Sequence, residues 1–263
     1  MNLLTPTSLD EALRMKAAHP SALPVQGGTD VLVALNFDRA RPDTLLNLNE
    51  VAELRGFRRD TGTLRLGAGL TYTEAMLAPF AGELPALAEA SRTVGSPQIR
   101  NRGTIGGNLG TSSPAGDALP PLLVEGAAVE LASVRGVRTL PLASFLLGVK
   151  RNALEPDELI VAVLVQPSLQ RQTFMKVGPR NAMVIAVCSL ALVADRERGE
   201  LRAAYGSSSP IVEVVTAPWD EADGFPERVA AAASPIDDVR GTAAYRRHAL
   251  RVLTARALER CLA

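Results

Sequence analysis

Cysteine, histidine and aromatic residues are scarce in this chain, and each scarcity closes off a class of chemistry. Cys188 and Cys261 are the only cysteines. They lie far apart and outside any C-x-x-C pattern, so neither a disulfide framework nor a zinc or iron–sulfur site is indicated. Any metal chemistry has to lie in another chain. His19 and His248, the only histidines, sit in helical surroundings with no carboxylate or serine placed for a triad, so no catalytic residue is assigned. Aromatic residues make up 4% of the chain, with Trp219 the single tryptophan, and the stacking platforms of nucleic-acid binders are missing. The 28 basic residues balance 28 acidic ones, which removes the electrostatic case for a nucleic-acid or membrane-surface partner. No run of about 18 apolar residues occurs, and the start MNLLTPTSLDEAL has no basic stretch followed by a long apolar one. The expectation is a soluble, cytoplasmic protein that meets any partner by local shape.

What the chain does have is aliphatic residues and glycine. A hydrophobic content of 47% over 263 residues supports a substantial core divided into two or three subdomains. Ser8, with Glu11 three residues on, caps a helix to about Ala18, and a short strand follows at Leu23 to Gln26. Val31 to Leu35 is apolar enough for a buried helix or turn, and Thr44 to Leu48 reads as a strand. Leu64, Leu66, Ala68 and Leu70 alternate as a half-buried strand entered through the Asp60-Thr61-Gly62 turn, and Thr71 or Thr73 can cap the next helix. A helix near Leu84 to Val94, a glycine-rich stretch from Gly95 to Gly116, and strands at Ala127 to Ala132, after the Arg135-Gly136 turn, and at Glu158 to Val165 complete this part. Beyond the polar break Gln166 to Gln172, Phe174 to Val177 and Ile185 to Ala194 read as strands, and the rest as helices. The last helix, Thr242 to Leu262, carries Tyr245, Leu250, Leu253, Ala257, Leu258 and Leu262 at near-helical spacing with arginines distributed around it.

The strongest local signal runs from Arg100 to Asp117, RNRGTIGGNLGTSSPAGD. Glycines there let successive N–H groups approach an anion, which suits a phosphate or pyrophosphate, and Thr104, Thr111, Ser112 and Ser113 add neutral hydroxyls. The segment Pro24-Val-Gln-Gly-Gly-Thr-Asp30 repeats this chemistry, although a Gly-Gly pair after a strand can equally be a plain tight turn. No G-x-x-x-x-G-K-[ST] is present, so a dinucleotide fits better than a nucleoside triphosphate. Neither segment reads G-x-G-x-x-G with an acidic residue about 20 positions on, so the doubly wound nucleotide fold is not supported.

With Gln26 to Asp30, Ile99 to Asn108 and Ser113 to Asp117, and further with Phe174 to Asn181 and Ser234 to His248, the sequence resembles the FAD-binding subunits of molybdenum hydroxylases, the group that includes carbon monoxide dehydrogenase medium subunits and bacterial xanthine dehydrogenase flavin subunits. The resemblance implies an α+β chain with the vanillyl-alcohol-oxidase (PCMH) type of FAD-binding fold. Two α/β subdomains, residues 1–55 and 56–168, would be followed by a C-terminal α+β domain, residues 169–263. It implies non-covalent FAD, with Pro24, Val25, Gln26, Gly27, Gly28, Thr29, Asp30 and Val31 and with Thr104, Ile105, Gly106, Gly107 and Asn108 cradling the pyrophosphate and ribityl chain through main-chain amides and hydroxyls. Ser113 and Asp117 would lie near the cofactor, Asp117 bonding a ribose or ribityl hydroxyl, although its place before Ala-Leu-Pro-Pro also suits a helix N-cap. Val94 and Ile160 would pack on the ring systems and Lys176 would lie near the flavin. A molybdenum-pterin large subunit and a 2Fe-2S small subunit are the implied partners, and NAD, oxygen or a quinone the implied acceptor. A self-contained FAD-dependent reductase or oxidase of the same fold is the alternative. It would need its own acid and substrate-binding arginines, for which Arg100, Arg102 and Glu158 are the candidates. Gly110 departs from the family pattern, where alanine or cysteine is common.

Overall fold

The computed structural model describes residues 1–263. The first helix begins where the sequence sets its cap: the Ser8 hydroxyl accepts the Glu11 N–H at 3.2 Å and the Glu11 carboxylate takes the Thr7 N–H at 2.7 Å. This helix, Leu9–Ala18, carries the chain back so that strands Asn2–Leu4, Thr44–Asn47 and Leu23–Val25 form a three-stranded parallel sheet, with Thr44–Asn47 in the middle. Parallel neighbours require long crossovers, and the second crossover is the segment that carries Gly27 and Gly28. Ala12, Ala22, Leu46, Leu48 and Leu54 close a small core beneath this sheet together with Leu159 and Val161 of the next one.

The second sheet has five antiparallel strands in the order Phe57–Asp60, Thr63–Gly67, Leu159–Val165, Ala128–Ser133 and Gly136–Pro141. Leu64 and Leu66 alternate inward as their period predicts. Leu159–Val165 is buried at nearly every position because it has a core on each face. A bulge between Ile160 and Ala162 changes the parity, so Leu159 and Val161 face the first core while Ile160, Val163 and Val165 face the second. Thr71 supplies the expected cap, in a full box with Glu74. Phe57–Asp60, absent from the sequence reading, is an edge strand exposed at every residue, so it carries no burial pattern to read. The glycine-rich stretch is also more ordered than its composition suggests, containing the helices Pro97–Arg100 and Ile105–Thr111.

The C-terminal part is a four-stranded antiparallel meander, Arg171–Val177, Cys188–Asp195, Glu200–Gly206 and Glu213–Pro218. The last two strands take the place of the helices read from the sequence there. Their alanines and charged residues, such as Ala203, Ala204 and Arg202, give weak strand signals, and pairing within the sheet overrides them. Helices Phe225–Ala232 and Ala243–Leu262 cover one face of this sheet, burying Leu190, Leu192, Leu201, Leu250 and Leu253. The other face, through Phe174, Ala191, Val193 and Ala204, joins the core of the second sheet.

Two expectations fail in instructive ways. Val31–Asn36 is a helix, but none of its residues is buried, and Leu32 and Val33 are exposed; an apolar composition by itself does not say which element a face finds. In the last helix Tyr245 is exposed while Arg246 is fully buried. The Arg246 guanidinium reaches the Val187 carbonyl at 2.6 Å, the Ser207 carbonyl and the Asp238 carboxylate, a set of acceptors that makes burial of the charge tolerable. No helix is long and apolar enough to cross a membrane.

Candidate functional site

Gly27 and Arg102 bring the two glycine-rich segments into contact. A Cβ on Gly27 would lie 2.1 Å from the Arg102 carbonyl oxygen, so glycine is required there by the approach of one backbone to another. Thr111 donates its hydroxyl to the Asp30 carboxylate at 2.8 Å, and the Arg102 guanidinium bonds the Asn49 side chain at 3.0 Å. Beside the Arg102–Asn49 contact lies a crevice of about 200 Å³ lined by no hydrophobic residue, among its walls Gln26, Thr71, Arg102 and Thr104.

The two segments differ in what their main chain offers. The N–H groups of Gly27, Gly28, Thr29, Asp30 and Val31 donate to nothing within the chain, and Gly28 is left-handed at φ 73°, a run of free donors able to face an anion. The second segment uses its donors internally. Ile105 N–H bonds the Leu70 carbonyl at 2.9 Å, Gly106 N–H the Ala68 carbonyl at 2.8 Å and Asn108 N–H the Thr104 carbonyl at 3.0 Å, while Gly107 N–H goes to the Thr104 hydroxyl at 3.0 Å. The amides expected of residues 105–108 are therefore committed to docking and capping this short helix. Gly106 is needed for the docking itself, since a Cβ there would come within 2.6 Å of the Ala68 Cβ. What the segment presents instead is a side chain: the Asn108 carbonyl oxygen is buried and has no partner.

Asn108 also leads to the second cluster. Its amide packs where a side chain on Gly116 would stand, and the next residue, Asp117, is buried in a 2.6 Å ion pair with Lys176. Lys176 also donates to the Thr93 carbonyl at 3.2 Å, beside Val94. Burial raises the pKa of Asp117 above the usual carboxylate range, against the lowering pull of the Lys176 charge and hydrogen bond. The second Asp117 oxygen has no partner. Asp117 is not a helix cap: helix Leu119–Val124 begins at Ala118 without any side-chain cap bond.

The arrangement matches known proteins over its whole length. The family model described as the FAD-binding domain in molybdopterin dehydrogenase covers residues 1–167. The xanthine dehydrogenase FAD-binding subunit of Escherichia coli O157:H7 is 34% identical over 77% of this chain and 72% of its own length. The nicotine 6-hydroxylase medium subunit of Paenarthrobacter nicotinovorans is 29% identical over 97% of this chain and 94% of its own. A structure of carbon monoxide dehydrogenase from Hydrogenophaga pseudoflava superposes with a TM-score of 0.92 at 26% identity, covering 100% of this chain and 97% of that one. The chain belongs to the FAD-binding family of molybdopterin dehydrogenases.

The residues present suit FAD. The free amides of Gly27 to Val31 are donors of the kind a pyrophosphate takes, and the unpartnered oxygens of Asn108 and Asp117 are acceptors of the kind hydroxyl groups take. Of the residues singled out in the sequence, Pro24 and Val25 form the strand that delivers Gln26, and Val31 opens the helix after Asp30. Ser113 turns its hydroxyl onto the Ala115 N–H at 3.3 Å. Lys176 links Asp117 to the Thr93 carbonyl, next to Val94 in the chain, and Ile160 lies beside Gly110, 3.7 Å from where a Cβ would sit.

Sequence reasoning missed the support behind this candidate site. Asn152 donates to the Gly110 carbonyl at 3.0 Å and the Ser112 hydroxyl at 3.2 Å, and Lys150 N–H bonds the Ser112 carbonyl at 3.1 Å. Together they clamp the left-handed end of helix Ile105–Thr111, and nothing in the local sequence of either residue announces it. Arg100 bonds the Val94 and Gly95 carbonyls, each at 3.0 Å, fixing the turn that presents Val94.

Proposed function

We propose that this chain holds FAD across the cleft between its two glycine-rich segments and conducts electrons from 2Fe-2S clusters of a small partner subunit to an outside acceptor, NAD, oxygen or a quinone, while molybdenum-pterin chemistry takes place in a large partner subunit. The observation that carries this reading is the run of amides at Gly27 to Val31 that donate to nothing within the chain, together with the unpartnered oxygens of Asn108 and Asp117. Gly27 to Val31 would bind the pyrophosphate and Asn108 and Asp117 the hydroxyl-bearing chain. Val94 and Ile160 would supply apolar walls that exclude water, and the Lys176 charge would lie at the flavin end. When bound, the flavin supplies the exchange between one- and two-electron chemistry that the side chains lack. The subunit character of the relatives supports the partner assignment.

A self-contained reductase would need a proton donor at the site. Its candidate, Glu158, is held by Arg138 at 2.6 Å, and that hydrogen bond keeps its pKa below the ordinary value despite burial. Arg100 and Arg102 are likewise occupied by protein acceptors.

The test is purification of the full chain with added FAD, followed by visible spectra and flavin stoichiometry before and after denaturation. One FAD per chain, released by denaturant, is expected. An apoprotein that takes up no FAD would overturn the reading. Co-purification with its partners, read by iron and molybdenum content, tests the assembly.

A further inference from the structure

Arg246 stands where the C-terminal sheet runs out of rungs. Strands Cys188–Asp195 and Glu200–Gly206 pair from Asp195 opposite Glu200 up to Ser189 opposite Gly206. The pairing stops there, and Ser207 turns left-handed at φ 60°. Beyond this last rung the carbonyls of Val187 and Ser207 both accept from one nitrogen of the Arg246 guanidinium, Val187 at 2.6 Å, while the other terminal nitrogen reaches the Asp238 carboxylate at 2.6 Å. Arg246 is 1% exposed, so a planar, permanently charged fork takes the place of the missing rung.

The two carbonyls lead to the two halves of one ion pair. Val187 N–H bonds the Val177 carbonyl at 2.8 Å, next in the chain to Lys176. Ser207 N–H bonds the Pro114 carbonyl at 2.8 Å, and a Cβ on Gly206 would lie 2.9 Å from that same oxygen. Pro114 belongs to a turn closed by the Gly116 N–H on the Ser113 carbonyl at 2.9 Å, and Asp117 follows. One guanidinium therefore registers both the segment that carries Lys176 and the segment that carries Asp117, whose side chains meet at 2.6 Å. Filling the end of a sheet needs no charge, and an apolar side chain would do it without the cost of desolvating a guanidinium. It would also leave residues 187 and 207 free to shift against each other, and packing alone does not account for arginine.

We propose that Arg246 is a positioning residue for FAD, holding Val187 and Ser207 in register so that Asp117 and Lys176 stand where the bound cofactor meets them. It acts through these two segments and not by contact with the cofactor. The Asp117 oxygen that has no partner in the chain is the atom whose placement it decides. Hydrogen bonds weaken steeply once donor and acceptor leave alignment, so a small displacement of that oxygen lowers affinity while the chain stays folded. The inference rests on the reading that FAD occupies this cleft.

The experiment is a double-mutant cycle on the full-length chain, Arg246→Lys combined with Asp117→Asn, reading FAD dissociation by flavin fluorescence at a temperature below the melting transition of every variant. Arg246→Lys is expected to weaken FAD binding about tenfold when Asp117 is present and less than about twofold in the Asp117→Asn background. Equal losses in the two backgrounds overturn the role of Arg246, since the arginine would then serve the fold as a whole and not the ion-pair corner. Unchanged affinity in Arg246→Lys overturns it as well and leaves the FAD reading intact. Should Arg246→Lys not fold, Asp238→Ala, which strips one acceptor from the guanidinium, takes its place in the same cycle under the same criteria. Absence of FAD binding by the wild type overturns both this inference and the reading it rests on.

Discussion

Thr111 and Asp30 share a hydrogen bond of 2.8 Å although 81 positions separate them in the chain. It ties the end of the second glycine segment to the end of the first, so the width of the cleft depends on it more than the stability of either subdomain does.

Replacing Thr111 with valine keeps the shape and removes the donor. The expected result is FAD binding weakened about fivefold, with folding stability changed by less than about 1 kcal/mol because both groups are solvent-accessible. Fluorescence titration and urea denaturation of the same preparations separate the two effects.

Gly106 and Gly110 lie one turn apart on the helix Ile105–Thr111 and predict opposite outcomes. Gly106→Ala forces a Cβ to 2.6 Å from the Ala68 Cβ and should destabilise the fold by about 1–3 kcal/mol. Gly110→Ala adds a Cβ at an ordinary 3.7 Å from Ile160 and should stabilise it by about 0.5–1 kcal/mol through helix propensity. Paired thermal melts decide between them, and a stabilised Gly106→Ala would contradict the close docking of this helix.

Lys176→Met leaves Asp117 buried beside no cation, which costs about 3–5 kcal/mol while the carboxylate stays charged. The carboxyl is already raised above its ordinary range by burial, and losing Lys176 raises it further. The folded state then holds a proton that the unfolded state has released, so stability must fall as pH rises between the unfolded and folded pKa values. Urea denaturation should show a larger deficit for the variant at pH 8 than at pH 5, and a uniform deficit would refute the pair's role.

Asp238 predicts the reverse slope. Burial pushes its pKa up, but hydrogen bonds from Arg240 and Arg246 outweigh this and hold it well below the ordinary carboxylate range. A depressed carboxyl contributes stability above its unfolded value and loses it as pH falls toward the folded one. Denaturation midpoints between pH 5 and pH 2 should decline for the wild type and decline less steeply for Asp238→Asn.

The sequence shows the parts of the fold that local chemistry decides. The Ser8 and Thr71 caps, the alternating Leu64 and Leu66, and the apolar Leu159–Val165 strand each carry their own signal. Hidden from it are features set by distant residues: the exposed edge strand Phe57–Asp60, the strands Glu200–Gly206 and Glu213–Pro218, and the burial of Arg246 against two carbonyls and the Asp238 carboxylate. The site follows the same division. Glycine clustering and the family likeness marked both segments, but composition could not say that Gly27 and Gly106 serve close backbone approach, or that the free amides belong to the first segment and not the second.

Strand Cys188–Asp195 turns alternate side chains toward two different cores, Ala191 and Val193 to one and Leu190 and Leu192 to the other. The chain cannot be cut near residue 167, where the family model ends, without laying bare oily surface on both fragments. An amino-terminal piece alone should aggregate instead of surviving as a miniature flavoprotein, and denaturation of the intact chain should proceed in a single concerted step.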